Sequence, residues 1–324
     1  WVQHTDDNGG IIPSNIGLDG SIGGAADGNW WGGCYGWGFT VTVPQTGQKA
    51  NRPACYSRAH YGFGHGLLLT GDSSYVDTWR GVLDKVNENA KQEDGQTVYP
   101  HMHGADGWYD FRPHPFSPGA HDIWYWSQLD SDRQRLAGDR WVQFLDGDNA
   151  DYPEDELDRG LAQVRDRMSR MAADETSPDT RLSDDMNPIN PAVTEGLVRL
   201  MLGGIPVGRS AHTLHCRLRY FDPEKRRAGL PDAVAALVES MSDDEVAVQL
   251  INLDPVRERH VVVQGGAYGE HKMGNVTADG GTRVDVPGDG SAFTVRLAPG
   301  AGGRLTISQD RFARQPTFTF PWDR

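Results

Sequence analysis

The hydrophobic pattern of the chain changes its period once, near residue 244, and this change limits the possible folds more than any other feature. Before it, apolar residues recur at helical spacing. The clearest case is residues 156–173, where they lie four, three, four and three positions apart: Leu157, Leu161, Val164, Met168 and Met171. After it, short alternating segments such as EVAVQLINL are separated by Gly, Asp and Pro, which is typical of antiparallel strands. The pattern predicts a mainly helical domain, residues 1–243, and a small antiparallel β-sandwich, residues 244–324.

Charge and length exclude some classes of partner. The formal net charge of −14 repels nucleic acid and anionic membranes, so we predict no nucleic-acid partner. No apolar run has the length of a membrane span, so we also predict no membrane insertion. A polyanionic substrate would require a local cationic cleft, which the His and Arg residues of the central region could supply.

Residues 99–126, YPHMHGADGWYDFRPHPFSPGAHDIWYW, are denser in chemically active groups than any other segment. Upstream, residues 29–38 (NWWGGCYGWG) form a second aromatic segment. Pyranose rings stack on indoles while acid–base groups cut the linkage between sugars, so this composition suits a polysaccharide cleft. We expect residues 29–38 and 99–112 to line one concave surface. The aromatic residues predicted to bind substrate there are Trp30, Trp31, Tyr35, Trp37 and Trp108.

Three sequence blocks, WWGGCYGWGF, GADGWYDF and LHCRLRYFDP, accompany the predicted helical hairpins and the β-rich end. In this combination the chain resembles the (α/α)-toroid carbohydrate enzymes, that is, the six-hairpin glycosidase-like proteins and the toroid polysaccharide lyases acting on alginate or glucuronan. The resemblance implies a partial (α/α) toroid followed by the β-sandwich. Because the helices are fewer than a complete toroid contains, we expect N-terminal hairpins to be missing.

The resemblance also implies a polysaccharide lyase that cleaves a uronate polymer by β-elimination. In such lyases Tyr and His transfer protons, and a cation or amide neutralises the uronate carboxylate. The predicted proton-transfer residues are Tyr109, His101 and Tyr99, and Arg112 is predicted to hold the carboxylate. A secreted or periplasmic location would follow from this function alone.

The same cleft is predicted to include the start of a Gly-rich helix, because inward-facing helix starts line the cleft of a toroid. The residues concerned are Arg58, His60 and Tyr61. No cofactor or metal is predicted: His101 and His103 flank Met102, and we expect their rings to point to opposite sides of an extended segment, which rarely chelates one ion.

Two alternatives remain open. An inverting glycoside hydrolase needs two carboxylates roughly 6.5–9.5 Å apart. Asp106, Asp110 and Asp122 are available for it, but the segment contains no Glu. The other alternative is a carbohydrate-binding protein without catalytic activity. Neither the oligomeric state nor the polysaccharide follows from the sequence.

Overall fold

The computed structural model divides the chain into two compact units, Trp1–Leu136 and Ala137–Arg324. It describes most of each unit, with only the backbone for residues 55–57. The described ranges are 1–24, 26–32, 36–37, 44–46, 55–177, 179, 189–207 and 212–324.

The first unit combines helices with one small sheet. Its helices are α1 (Val2–Asp7), α2 (Cys55–Thr70), α3 (Ser74–Asn87), α4 (Ala120–Ser127) and α5 (Asp130–Arg133), and a 3-10 turn covers Gln134–Leu136. Its strands are β1 (Lys91–Glu93), β2 (Gln96–Gly104) and β3 (Gly107–Arg112). The sheet order is β1-β2-β3, and both pairings are antiparallel.

Helix α3 buries the apolar stripe that its sequence predicts. Val76, Trp79, Leu83 and Val86 recur at helical spacing, and all four are buried. The Trp79 indole N–H donates to the carbonyl oxygen of Pro118 over 3.0 Å, which satisfies its polar group inside the core. The predicted stripe of α3 is therefore confirmed.

Helix α2 approaches α4 closely because it carries glycine at the point of contact. A Cβ atom at Gly64 would lie 2.3 Å from Cζ2 of Trp126, a distance that real Cβ contacts do not reach. Trp126 is itself buried, together with its neighbours Trp124 and Tyr125. The helix pair thus forms the aromatic part of this core.

The second unit begins with helices and continues as strands. Its helices are α6 (Arg140–Leu145), α7 (Tyr152–Ala172) and α8 (Glu195–Leu202), and a 3-10 turn covers Pro321–Asp323. Its strands are β4 (Gly204–Ile205), β5 (His215–Cys216), β6 (Leu218–Asp222), β7 (Arg227–Ala228), β8 (Val234–Met241), β9 (Glu245–Asn252), β10 (Arg259–Gly265), β11 (Lys272–Ala278), β12 (Arg283–Asp285), β13 (Ala292–Leu297) and β14 (Gly302–Asp310).

These strands form three antiparallel sheets. The strand orders are β13-β10-β6-β7, β12-β11-β14-β9-β8 and β4-β5. Alternation gives the strands of the two larger sheets a buried face: Val246, Val248 and Leu250 of β9, with Val261 and Val263 of β10, have no exposed surface.

A buried arginine connects these sheets. The Arg217 guanidinium donates to Oε1 of Gln309 on β14 and to the carbonyl oxygens of Ser242 and Glu245 at the start of β9. The carbonyl of Arg217 accepts bonds from the Gln309 amide and from the backbone N–H of Gly266, which follows β10. Its side chain has no exposed surface, so these bonds replace the lost hydration of the cation.

The predicted toroid is wrong. The described residues contain 8 helices (30% helical) and 27% strand in four antiparallel sheets, with the strands mostly in the C-terminal half. The error is clearest in two segments. Residues 91–112, read as an inter-helix loop, form β1 to β3, and residues 231–241, read as a helix, contain β8. Short apolar runs such as AVAALV do not distinguish a strand from a buried helix by periodicity alone.

We predict that Gly64→Ala destabilises the first unit by about 1–3 kcal/mol, because the added methyl group overpacks against Trp126. Gly62→Ala, on the same helix, is the matched control. Nothing lies within 4 Å of a Cβ there, and alanine should stabilise the helix by about 0.5–1 kcal/mol. Urea unfolding of both variants measures the difference; equal effects of the two substitutions would contradict the close packing of α2 on α4.

Candidate functional site

The two aromatic segments predicted to share a surface do come together in the first unit. The Trp30 ring centroid lies 4.5 Å from that of His103 and 6.4 Å from that of Trp108. Trp31 lies 5.1 Å from His103, and Trp37 lies 5.9 Å from Trp108. We name these five residues the aromatic cluster. The predicted convergence of the two segments is confirmed for them, while their roles remain predictions.

The β2–β3 hairpin and backbone bonds from the upstream segment hold the cluster. His103 and Trp108 lie directly opposite each other across the hairpin, with ring centroids 4.8 Å apart. The backbone N–H of His103 donates to the carbonyl of Trp37 over 3.2 Å, and the Trp37 indole donates to the carbonyl of Ile12 over 2.8 Å. Ser14 donates to the carbonyl of Trp30 through both its backbone N–H and its hydroxyl.

The members of the cluster differ in exposure. Trp30, Trp31, Trp108 and His103 are half-buried, whereas Trp37 has no exposed surface. Trp37 therefore supports the other rings and presents no face to a ligand in this structure. Tyr35, predicted to bind with them, lies outside the described residues.

His103 is the neutral central ring of the cluster. Burial lowers the pKa of its imidazole, and its Nδ1 atom is buried without a hydrogen-bond partner among the described residues. The ring is close to Trp30, Trp31 and Trp108 at once, so all three indoles pack around it. Sequence reasoning considered His103 only as a metal ligand and missed this position.

The four predicted catalytic residues do not form one group. Tyr99 pairs with Arg112 across the hairpin, and Met102 pairs with Tyr109. Because successive residues of a strand project to opposite faces, Tyr99, His101 and Arg112 share one face and Tyr109 lies on the other. The Tyr109 ring lies over Gly104, where a Cβ would be 3.2 Å from it.

The environments of His101 and Arg112 also differ from those predicted. His101 is 7% exposed, and its Nε2–H donates to the carbonyl of His114 over 3.3 Å. Burial, more than any other cause, lowers the pKa of His101. Arg112 donates to both carboxylate oxygens of Asp110, over 2.7 and 3.2 Å, and would have to leave this pair to hold a uronate.

His101 and His103 share a face of β2, since they lie two residues apart, so the expectation of opposite directions was wrong. Their surroundings are nevertheless distinct: His101 contacts His114 and Phe116, and His103 contacts the indoles. Within the described part of the chain, no group of three or more His, Cys, Asp or Glu residues is placed to hold a metal ion.

A second constellation lies between α2 and α4. Nε2 of His60 is 3.5 Å from Oδ2 of Asp122, and both side chains are buried. The His60 and Tyr61 rings are 4.4 Å apart. Burial and the nearby Asp122 carboxylate raise the pKa of Tyr61, and the Arg58 guanidinium opposes that rise. Gly119, with φ of 72°, leaves room for the His60 ring.

The predicted hydrolase carboxylates lie in three different settings. Asp106 is exposed in the turn of the hairpin, and Asp110 is paired with Arg112. Asp122 is buried beside His60, a pairing that the sequence did not reveal because 62 positions separate the two residues.

A cavity of about 530 Å³ lies in the first unit, beside the residues that hydrogen-bond to Trp30 and Trp37. Its walls are mostly apolar, and Arg58 contributes a charged group. The lining residues include Trp1, Ile12, Pro13, Arg58, Phe63 and Tyr75. Ile12 and Ser14 line this cavity and also bind Trp37 and Trp30, so the short segment between them separates the cavity from the cluster.

Residues 1–99 and 137–198 match a family model described as "Domain of unknown function (DUF8034)", which covers just under half of the chain. The chain is thus similar to that family over Trp30, Trp31, Arg58, His60 and Tyr61, while His103 and Trp108 lie outside the match. No curated protein matches the chain. None of the described helices combines the length and the apolar character that crossing a membrane requires.

We predict that the first unit loses stability as the pH falls below about 6.5, the pKa of an unfolded His. Burial lowers the folded-state pKa of His101 and His103, so the unfolded state binds protons first, and the stabilisation present above this pH is lost on acidification. His103→Gln should reduce the difference between the urea midpoints at pH 7.5 and pH 5.5. An unchanged difference would show that His103 does not contribute to the pH dependence.

Proposed function

We propose that this protein binds a polysaccharide whose sugar rings stack on Trp30, Trp31 and Trp108. The observation that carries the proposal is the convergence of these three half-buried indoles around one imidazole. Indoles combine a large apolar face with an N–H donor, which suits the C–H faces and hydroxyl groups of pyranose rings.

The support beneath the rings favours binding. Trp37 is buried, its carbonyl accepts a bond from His103 of β2, and its indole donates to the carbonyl of Ile12. Rings that are held before the ligand arrives lose little conformational entropy on binding, so more of the stacking free energy remains as affinity.

The cluster carries no formal charge when His103 is neutral. Its contribution is therefore stacking, and the carboxylate of a uronate would gain no ion pair from these five side chains. The chain's net charge of −14 would also repel a polyuronate at low ionic strength. We therefore expect neutral polysaccharides to bind at least as well as alginate or glucuronan.

Affinity electrophoresis through gels containing a neutral glucan, xylan, alginate or glucuronan tests this proposal. Trp30→Ala, Trp31→Ala and Trp108→Ala should each weaken binding of a retained polysaccharide by about 10-fold, the effect of removing an aromatic anchor. Trp1→Ala is the matched control, because Trp1 is 63% exposed and lies outside the cluster. Retention that depends on Trp1 and not on the cluster would instead place the ligand in the 530 Å³ cavity.

The predicted lyase is a second candidate, and one observation favours moving it from Tyr109 to Tyr61. Tyr61 lies beside the His60–Asp122 pair and near Arg58. Its raised pKa keeps the phenol protonated, as an acid for the leaving O4 requires. His60, held by Asp122, is the candidate base for the C5 proton; because its ring is buried, it must move towards the substrate to take that proton, and Arg58 would neutralise the uronate.

Under this candidate, Tyr61→Phe should reduce the formation of unsaturated uronate by at least about 100-fold, since only the proton-carrying oxygen is removed. The matched control is Tyr109→Phe, on the other face of the hairpin from His101 and Arg112, which should remain near wild type. Ultraviolet absorbance of the conjugated product measures both. If the wild-type protein yields no such product from any uronate polymer, the lyase is rejected and the binding proposal is unaffected.

A further inference from the structure

Helix α7 exposes its main apolar stripe. The exposed fractions are 45% for Leu157, 52% for Leu161, 57% for Met168 and 42% for Met171, and Val164 between them is half-buried. We name these five residues the α7 seam. The sequence pattern identified this stripe as the clearest helical signal of the chain, and such stripes usually face a core.

The α7 helix is attached to its own unit through another side. Tyr152 is buried, and its ring lies 5.9 Å from that of Phe144. Glu156 is also buried and packs closely against Gly196, where a Cβ atom would contact the Glu156 side chain. Arg167 donates to the carbonyl of Asn190 over 2.9 Å. At about 100° per residue, this side lies roughly a quarter turn from the seam. The packing of α7 on its unit therefore leaves the seam uncovered among the described residues.

The spacing of the seam specifies the kind of surface that fits it. Intervals of four, three, four and three residues are the a and d positions of a heptad repeat, the pattern of one helix packed against another. Leu161 and Met168 occupy a positions, and Leu157, Val164 and Met171 occupy d positions. The seam spans 15 residues, or about 21 Å of helix.

The flanking charges identify a second copy of the same helix as the partner. Asp158 and Arg165, both exposed, occupy the e positions that follow Leu157 and Val164. When two copies pack antiparallel with Leu161 opposite Val164, e positions face e positions. Asp158 of each copy then faces Arg165 of the other, and the two-fold symmetry forms this pair twice.

A parallel pair lacks this complementarity. Each of its e positions faces the preceding g position of the other helix, so Asp158 faces Pro153 and Arg165 faces Gly160, and neither meets an opposite charge. We therefore propose that two copies of this chain associate by antiparallel packing of their α7 seams. A single helix seam is smaller than the roughly 800 Å² per partner of a standard interface, so we expect a reversible dimer.

Light scattering or sedimentation of the full chain from about 1 to 200 µM tests the proposal, since this range covers micromolar affinities. The mass should rise from 35.6 kDa towards twice that value. Asp158→Arg or Arg165→Asp alone should raise the dissociation constant about 10-fold, because two attractive pairs become repulsive. The double variant D158R/R165D inverts both pairs and should restore the wild-type curve.

Leu161→Glu should abolish association without altering the circular dichroism, since the side chain is exposed. Val256→Glu, at a site that is 79% exposed and outside the seam, introduces the same charge and should leave the dimer intact. A wild-type chain that stays at one-chain mass throughout overturns the proposal. A dimer insensitive to Leu161→Glu, or one that the double charge inversion fails to restore, overturns it equally.

Discussion

The register of the β2–β3 hairpin determines which groups can act together in the first unit. Because Tyr99 pairs with Arg112 and His103 with Trp108, one face of the hairpin receives the upstream indoles. The strand pleat then assigns every second residue to that face. A shift of one residue would move His103 and Trp108 away from Trp30 and dismantle the aromatic cluster. The candidate site thus depends on backbone pairing more than on any single side chain.

Much of the helical structure follows from apolar spacing, and the failures have physical causes. The stripe of α3 is long and strongly periodic, so it was identified correctly and is buried. Residues 234–241 are short and rich in Ala and Val, which fit a strand and a helix equally, and tertiary pairing with β9 makes them a strand. The toroid was implied by a resemblance that counted such ambiguous segments as helical, and their folding as strands contradicts that fold class.

The site was predictable in composition and only partly in geometry. The density of Trp, His and Tyr identified the two segments that meet. Because residues 99–112 were read as a loop, the sequence analysis did not predict which of their side chains share a face. The sequence contains the missing signal: Asp106-Gly107 between alternating residues is a strong hairpin signature. This signature predicts that Tyr109 lies on the other face of the hairpin from Tyr99 and His101. The pairing of His60 with Asp122 had no such signal, because it arises from packing between distant helices.

The buried guanidinium of Arg217 has a consequence for how the second unit opens. Its acceptors belong to Gln309 of β14, to Ser242 in the β8–β9 connection and to Glu245 at the start of β9, so separation of β9 or β14 removes acceptors from a desolvated cation. Partial detachment of one sheet is therefore costly compared with complete unfolding. The amide protons of β6, β9 and β14 should consequently exchange with solvent through a shared opening event, as one cooperative foldon.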